Sequence, residues 1–176
     1  FFNTEGCPGT EIEMRSRSTE DTTIVSYLWD FGDGSTGSGR IIRHAYQNPG
    51  FYDVQLIVVN VLGCSDTILV PNVIHIFQPP TASFSPPDTA ACTPATIQFF
   101  NASTAGDTTV SSLFWDFGDG QNSSLPNPLH SFTSPNPYQV QLIAEDLNGC
   151  RDTASNLVNI HALPITDFVG SDSVGC

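Results

Sequence analysis

Apolar and polar residues alternate in short runs along this chain. In residues 51–60, FYDVQLIVVN, Val54, Leu56 and Val58 alternate with Asp53, Gln55 and Ile57. In residues 138–146, YQVQLIAED, Val140, Leu142 and Ala144 alternate with Gln139, Gln141 and Ile143. A period of two marks a strand with one face in a core. SYLWDF at 26–31 and SLFWDF at 112–117 read as strands that end at a glycine-rich turn. TPATIQFFN at 93–101 is another strand, with Ile97 and Phe99 on one face, and LVPNVIHIF at 69–77 closes the first set. Turn residues recur every 8–12 positions and no useful length has the helical period, the pattern of antiparallel sandwiches. QPP at 78–80 and ALP at 162–164 read as short linkers.

The alternation is itself repeated. Displaced by 86 positions, residues 21–76 fall without a gap on residues 107–162. WDFGDG at 29–34 falls on WDFGDG at 115–120, His44 on His130, Tyr52 on Tyr138, Gly63-Cys64 on Gly149-Cys150 and Ile74-His75 on Ile160-His161. Agreement on this scale identifies tandem copies of one unit. The predicted fold is all-β, two tandem antiparallel sandwiches at residues 1–78 and 79–162, followed by a linker and opening strand at 163–176. Residues 166–176 resemble 82–92 at Phe168/Phe84, Asp172/Asp88 and Cys176/Cys92. The reading is a window on a longer array whose first copy lacks its opening strand. Residues 165–176 then either continue into a third copy, the simpler account, or complete another subunit by strand addition.

Composition sharpens the class. Apolar residues make up 39% of the 176 and charged residues only 13%, with 5 basic against 18 acidic side chains and a net charge of −13. That balance disfavours nucleic acid and anionic membranes and favours divalent cations or cationic partners. No apolar run reaches the ~18 residues of a membrane span. The 5 cysteines form no CxxC pair, which argues against zinc and for disulfides in an oxidising compartment. In a sandwich the expected bridges are Cys7–Cys64 and Cys92–Cys150, each closing about 57 residues for roughly 4 kcal/mol. Trp29 and Trp115 should pack beside them, and Cys176 should pair outside the sequence.

WDFGDG, a following His-x-aromatic element (His44-Ala45-Tyr46; His130-Ser131-Phe132) and the run Gly50-Phe51-Tyr52-Asp53-Val54-Gln55-Leu56 together resemble the polycystic kidney disease (PKD) domain. The second copy departs from the pattern with Asn136-Pro137-Tyr138. The resemblance implies an immunoglobulin-like sandwich and covers about residues 5–162. The segments Asn60–Thr67 and Asp146–Thr153 are similar to PKD repeats of large secreted Bacteroidota surface proteins. That implies an extracellular, cell-surface module whose partners are neighbouring repeats or filament subunits and surface polysaccharide or protein. Neither catalysis nor membrane insertion is implied.

The paired aspartates of WDFGDG have two readings. In D-F-G-D-G the glycines permit positive φ and the carboxylates can hold nearby backbone N–H groups, which makes a turn. The family resemblance adds calcium, with Asp30, Asp33 and Asp66 in the first copy and Asp116, Asp119 and Asp152 in the second as candidate ligands. Asp53 and Asp146 are further candidate donors, but Gln139 replaces Asp53, so not all of these can form a shared site. No cofactor is otherwise required. His44, His130, His75 and His161 read as structural hydrogen-bonding residues, and no G-x-S-x-G or Ser/His/Asp context is present.

Asp-Thr or Asp-Ser followed by a small, apolar or Thr residue occurs six times. It is similar to the O-glycosylation sequence of Bacteroidota, which marks Thr22, Thr67, Thr89, Thr108, Thr153 and Ser173. Asp-Thr is also ordinary turn chemistry. Asn101-Ala102-Ser103 and Asn122-Ser123-Ser124 are N-glycosylation sequons only in a eukaryotic secretory host. The expected function is a structural, adhesive repeat forming a stiff stalk or fibre; the alternative is a polymer- or carbohydrate-binding accessory of a secreted hydrolase.

Overall fold

The computed structural model describes residues 4–18, 24–85 and 90–166. Every regular element in them is a strand. The first repeat contains β1 (Glu5–Gly6), β2 (Glu11–Arg15), β3 (Ile24–Asp30), β4 (Thr36–Ser38), β5 (Ile41–Ala45), β6 (Gly50–Asn60) and β7 (Ser65–Ile76). The second contains β8 (Phe84–Ser85), β9 (Ala90–Cys92), β10 (Ala95–Gln98), β11 (Phe100–Asn101), β12 (Val110–Asp116), β13 (Asn122–Ser123), β14 (Leu129–Phe132), β15 (Pro137–Asp146) and β16 (Arg151–His161).

Each repeat faces a five-stranded sheet with short two-stranded ribbons. In the first repeat the sheet order is β1-β7-β6-β3-β4, and β2 pairs with β5. In the second it is β13-β12-β15-β16-β9, with β10 on β14 and β8 on β11. The short strand β1 runs parallel to the end of β7, and β9 runs parallel to the end of β16; the other pairs are antiparallel. A register shift falls between Ile24 and Ser26 on β3 and at the matching place, between Val110 and Ser112, on β12.

The alternation read from the sequence sorts inside from outside. Val54 and Leu56 are buried in one core with Ile12, Met14, Trp29, Phe31, Tyr46, Ile74 and Ile76. Val140 and Leu142 are buried in another with Phe84, Ile97, Phe99, Trp115, Phe117, Phe132 and Ile160. The two clusters share no residue. In each repeat a tyrosine hydroxyl donates to a carbonyl four residues upstream, Tyr52 to Asn48 at 2.7 Å and Tyr138 to Ser134 at 3.0 Å. That contact pins the entry to β6 and β15.

The cysteine pairing corrects the sequence-based expectation. Cys7 is bonded to Cys150, across the two repeats, while Cys64 and Cys92 are free and exposed. The reason is strand direction. Gly6 pairs with Ile76, so Cys7 follows at the end of β7 where the chain leaves the repeat. Cys64 sits in the hairpin turn before Ser65, at the opposite end of β7, roughly 35–40 Å away at strand rise. A disulfide needs Cα atoms within about 7 Å. The same argument separates Cys92, which pairs with His161 at the end of β16, from Cys150 at its start. Cys176 lies outside the described residues.

Candidate functional site: the WDFGDG turn and the joint between repeats

Both WDFGDG turns have the same geometry. Asp30 Oδ1 accepts the Gly32 N–H at 2.9 Å, and Asp116 Oδ1 accepts the Gly118 N–H at 2.9 Å. Asp33 Oδ1 accepts the Ser35 N–H at 2.9 Å, and Asp119 Oδ1 accepts the Gln121 N–H at 3.0 Å. The second oxygen of each latter aspartate meets a histidine, His44 Nε2 at 2.7 Å and His130 Nε2 at 2.8 Å. Each imidazole stacks on the phenylalanine of its own turn, Phe31 at 4.1 Å and Phe117 at 3.8 Å between ring centroids. The histidine lies between that ring and a second aromatic edge, Tyr46 or Phe132. The two aspartates of each motif therefore build a turn and anchor a stacked imidazole, buried at His130 and half-buried at His44.

Ser35 Oγ stands 3.3 Å from His44 Nε2 and donates to Asp33 Oδ1 at 2.5 Å. The hydroxyl is thus held by the carboxylate, and in the second repeat Gln121 takes its place. The hydroxyl is therefore no part of the geometry common to both repeats.

The calcium candidates do not converge. Asp30 pairs with Gln55 and Asp66 with Val58, on strands either side of β6, so they stand roughly 10 Å apart along the sheet as well as two strands across it. Asp116 and Asp152 are divided in the same way, level with Gln141 and Ala144. The carboxylates of Asp30, Asp33, Asp116 and Asp119 already accept N–H groups. Among the described residues no three or more His, Cys, Asp or Glu side chains are grouped to hold a metal ion. The donor set does not fit calcium as one site.

Asp33 titrates abnormally. Burial raises its pKa, but the hydrogen bonds from the Ser35 hydroxyl, His44 and the Ser35 N–H outweigh this, and the net shift is downward from 3.8. A carboxyl depressed in the folded state stabilises above its unfolded pKa and loses that contribution as pH falls through the folded value. Thermal melts of the first repeat should therefore lose stability below pH 3.8, and Asp33→Asn should flatten that acid limb. An unchanged limb in the variant would remove Asp33 as its source.

The second site is the junction between repeats, which sequence reasoning missed. The Gln78 N–H donates to Asp107 Oδ2 at 2.8 Å, and the Asp107 N–H returns a bond to the Gln78 carbonyl at 3.0 Å. Thr81 and Thr104 exchange both backbone bonds, at 3.0 and 2.9 Å. The Ala82 N–H donates to Asp152 Oδ2 at 2.8 Å. His75, at the end of β7, approaches Asp107 at 3.6 Å. A Cβ on Gly106 would run into the carbonyls of Gln78 and Pro79, so glycine is what allows the linker to lie this close. Cys7–Cys150 closes the junction covalently, and Cys150 is fully buried.

Asp107 and Asp152 both open Asp-Thr pairs. The repetition of those pairs was the only signal of the clamps available in the sequence. Thr67 and Thr153 are exposed. The Thr108 hydroxyl oxygen, by contrast, is buried without a hydrogen-bond partner. Thr22, Thr89 and Ser173 lie outside the described residues.

The PKD domain family model matches residues 1–73 and 77–160. The chain belongs to the PKD domain family. A PKD domain is a non-catalytic module, and the two copies here stand in tandem. Collagenase ColQ1 of Bacillus cereus is 46% identical over 50 residues, which is 28% of this chain and 5% of the collagenase. Human polycystin-1 is 29% identical over 149 residues, 79% of this chain and 3% of that protein. The chain thus spans a small fraction of the curated relatives it matches. The crystal structure of the PKD1 domain from the Vibrio cholerae metalloprotease PrtV is 29% identical and covers 47% of this chain and 96% of its own, with a TM-score of 0.43.

Proposed function

We propose that this tandem PKD pair is an extracellular spacer that holds whatever it connects at a fixed distance and orientation, as part of a stalk or fibre of a cell-surface protein. The observation that carries this reading is the junction: the Cys7–Cys150 disulfide, together with Asp107 holding the Gln78 N–H and approaching His75, leaves little freedom between the repeats. A disulfide of this kind suits an oxidising, extracellular location. The exposed aromatics Phe51, Phe100 and Phe114 stand on separate strands rather than in a row, which speaks for a spacer over a sugar-binding face.

Residual dipolar couplings test the reading. Those of both repeats should fit a single alignment tensor in the bridged chain and require two in the Cys7→Ser/Cys150→Ser variant. Independent tensors in the bridged chain would overturn it. The accessory-module alternative is favoured by the matched stretch in the collagenase, and retention of the chain on insoluble collagen or polysaccharide would support it.

A further inference from the structure

All 5 basic residues of the chain are arginines, and Arg15, Arg17, Arg40 and Arg43 fall within or beside the ribbon of β2 and β5. Each of these is exposed. The alternation of β2 sends Ile12 and Met14 into the core and turns Glu13 and Arg15 outward. Glu13 stands opposite Arg43, and Arg15 stands opposite Ile41, which is 53% exposed. Arg17 and Arg40 continue the charge past Arg15, where the Ser16 N–H meets the Arg40 carbonyl at 2.9 Å. Against these guanidinium groups β2 carries the carboxylates of Glu11 and Glu13.

One carboxylate organises this face. Glu13 Oε1 accepts the Arg15 Nε–H at 2.7 Å and lies 2.6 Å from Arg15 Nη2. Glu13 Oε2 accepts from Nε and Nη2 of Arg43, each at 3.2 Å. Arg15 first, and then Arg43, hold the Glu13 carboxyl below its usual range, so it stays ionised and keeps both forks in place. A guanidinium has five N–H donors. Among the described residues neither Nη1 group meets a protein acceptor, so each fork keeps donors for an outside anion.

The fold does not need these charges. Ile12 faces His44 as Ile97 faces His130, so Glu13 corresponds to Gln98, Arg15 to Phe100 and Arg43 to Leu129. The second repeat builds the same ribbon from those uncharged residues. Phe100 pairs with Ser85 of β8 and is still 51% exposed, so the face stays open with that strand alongside. Exposed ion pairs contribute at most about 1 kcal/mol, so stability does not account for the concentration of arginine.

We propose that this face binds an acidic polysaccharide. A uronate carboxylate or a sulfate ester takes the outward N–H groups of Arg15 and Arg43, whose planar forks match such anions in pairs. Ile41 faces Arg15 and lies two residues from Arg43 on β5, so the apolar face of a sugar ring rests between two cations. Small-molecule sites are concave, whereas a flat ribbon suits an extended polymer. The net charge of −13 gives no long-range pull on a polyanion. The arginines act at contact, within the screening length of about 8 Å in physiological salt.

Biolayer interferometry of the whole chain over immobilised polygalacturonate, heparin, neutral dextran and polyglutamate tests this. Expected is retention on polygalacturonate, heparin or both, weakening as salt is raised, with none on dextran; the stronger of the two identifies the acidic group as carboxylate or sulfate. Arg15→Gln/Arg43→Gln should weaken it at least about tenfold, through loss of charge-assisted hydrogen bonds. Arg151→Gln, on the second repeat, should leave it unchanged, and both variants should keep the wild-type urea midpoint. No retention on either acidic polysaccharide, retention that survives the double substitution, or equal retention on polyglutamate overturns the assignment. Neither Arg15 nor Arg43 takes part in the junction, so the double variant should still fit a single alignment tensor, and failure here leaves the spacer standing.

Discussion

Trp115→Ala is expected to destabilise the second repeat by about 3–5 kcal/mol while leaving the first nearly untouched. Trp115 is 0% exposed and meets Phe84 and Phe99 ring to ring. Its indole N–H donates to the Leu125 carbonyl at 2.9 Å, so truncation leaves both a cavity and an unmatched carbonyl. The two cores share no residue, so the loss stays in one of them. The chain has 2 tryptophans, so fluorescence of the variant reports on Trp29 alone. In urea, circular dichroism should show an early transition that fluorescence lacks. Coincident shifts of both probes would contradict independent cores. Trp29→Ala should cost less, because Trp29 already borders an open groove.

Gly118→Ala has the second largest expected effect. Gly118 has φ +75°, and a Cβ there would stand 2.8 Å from the Gln139 carbonyl oxygen, a backbone atom with no room to yield. The left-handed conformation alone costs a non-glycine residue about 1–3 kcal/mol, and the contact adds to it. Gly120 supplies the control. Its φ is +87°, but a Cβ would meet nothing within 4 Å, so Gly120→Ala bears only the conformational part. Denaturant midpoints should rank wild type above Gly120→Ala and Gly120→Ala above Gly118→Ala. Equal losses would show that close approach to β15 is not what reserves position 118 for glycine.

These turns show why much of the fold was legible in the sequence. Strand alternation at Val54–Leu56 and Val140–Leu142 reports burial directly, because a pleated strand sends alternate side chains to opposite faces. The glycines and aspartates of WDFGDG carry their own local bonds, so the turn reading needed no distant contact. The cysteine pairing was not legible, because it depends on which end of a long strand each cysteine occupies and on what lies across the linker. Sequence spacing within one repeat contains neither fact. The repeat did hold a clue, since it puts equivalent cysteines at equivalent poles, but only the bonded pair shows which pole meets which. Asp107 and Asp152 escaped for a related reason: a carboxylate that holds the linker of its neighbour resembles any other turn aspartate until the linker is in place.

The Cys7–Cys150 bridge also decides the path that tension takes. A pull on the two ends of the described chain enters the bond at Cys7 and leaves it at Cys150, past the 143 residue positions that separate them. Both WDFGDG turns and every strand except β1 and β16 lie within the loop that this bond closes. If they unfolded, roughly 500 Å of potential chain length would remain locked behind a covalent link. The pair would then resist extension by chemistry rather than by the strength of its hydrogen bonds, and only a reductant would release the slack.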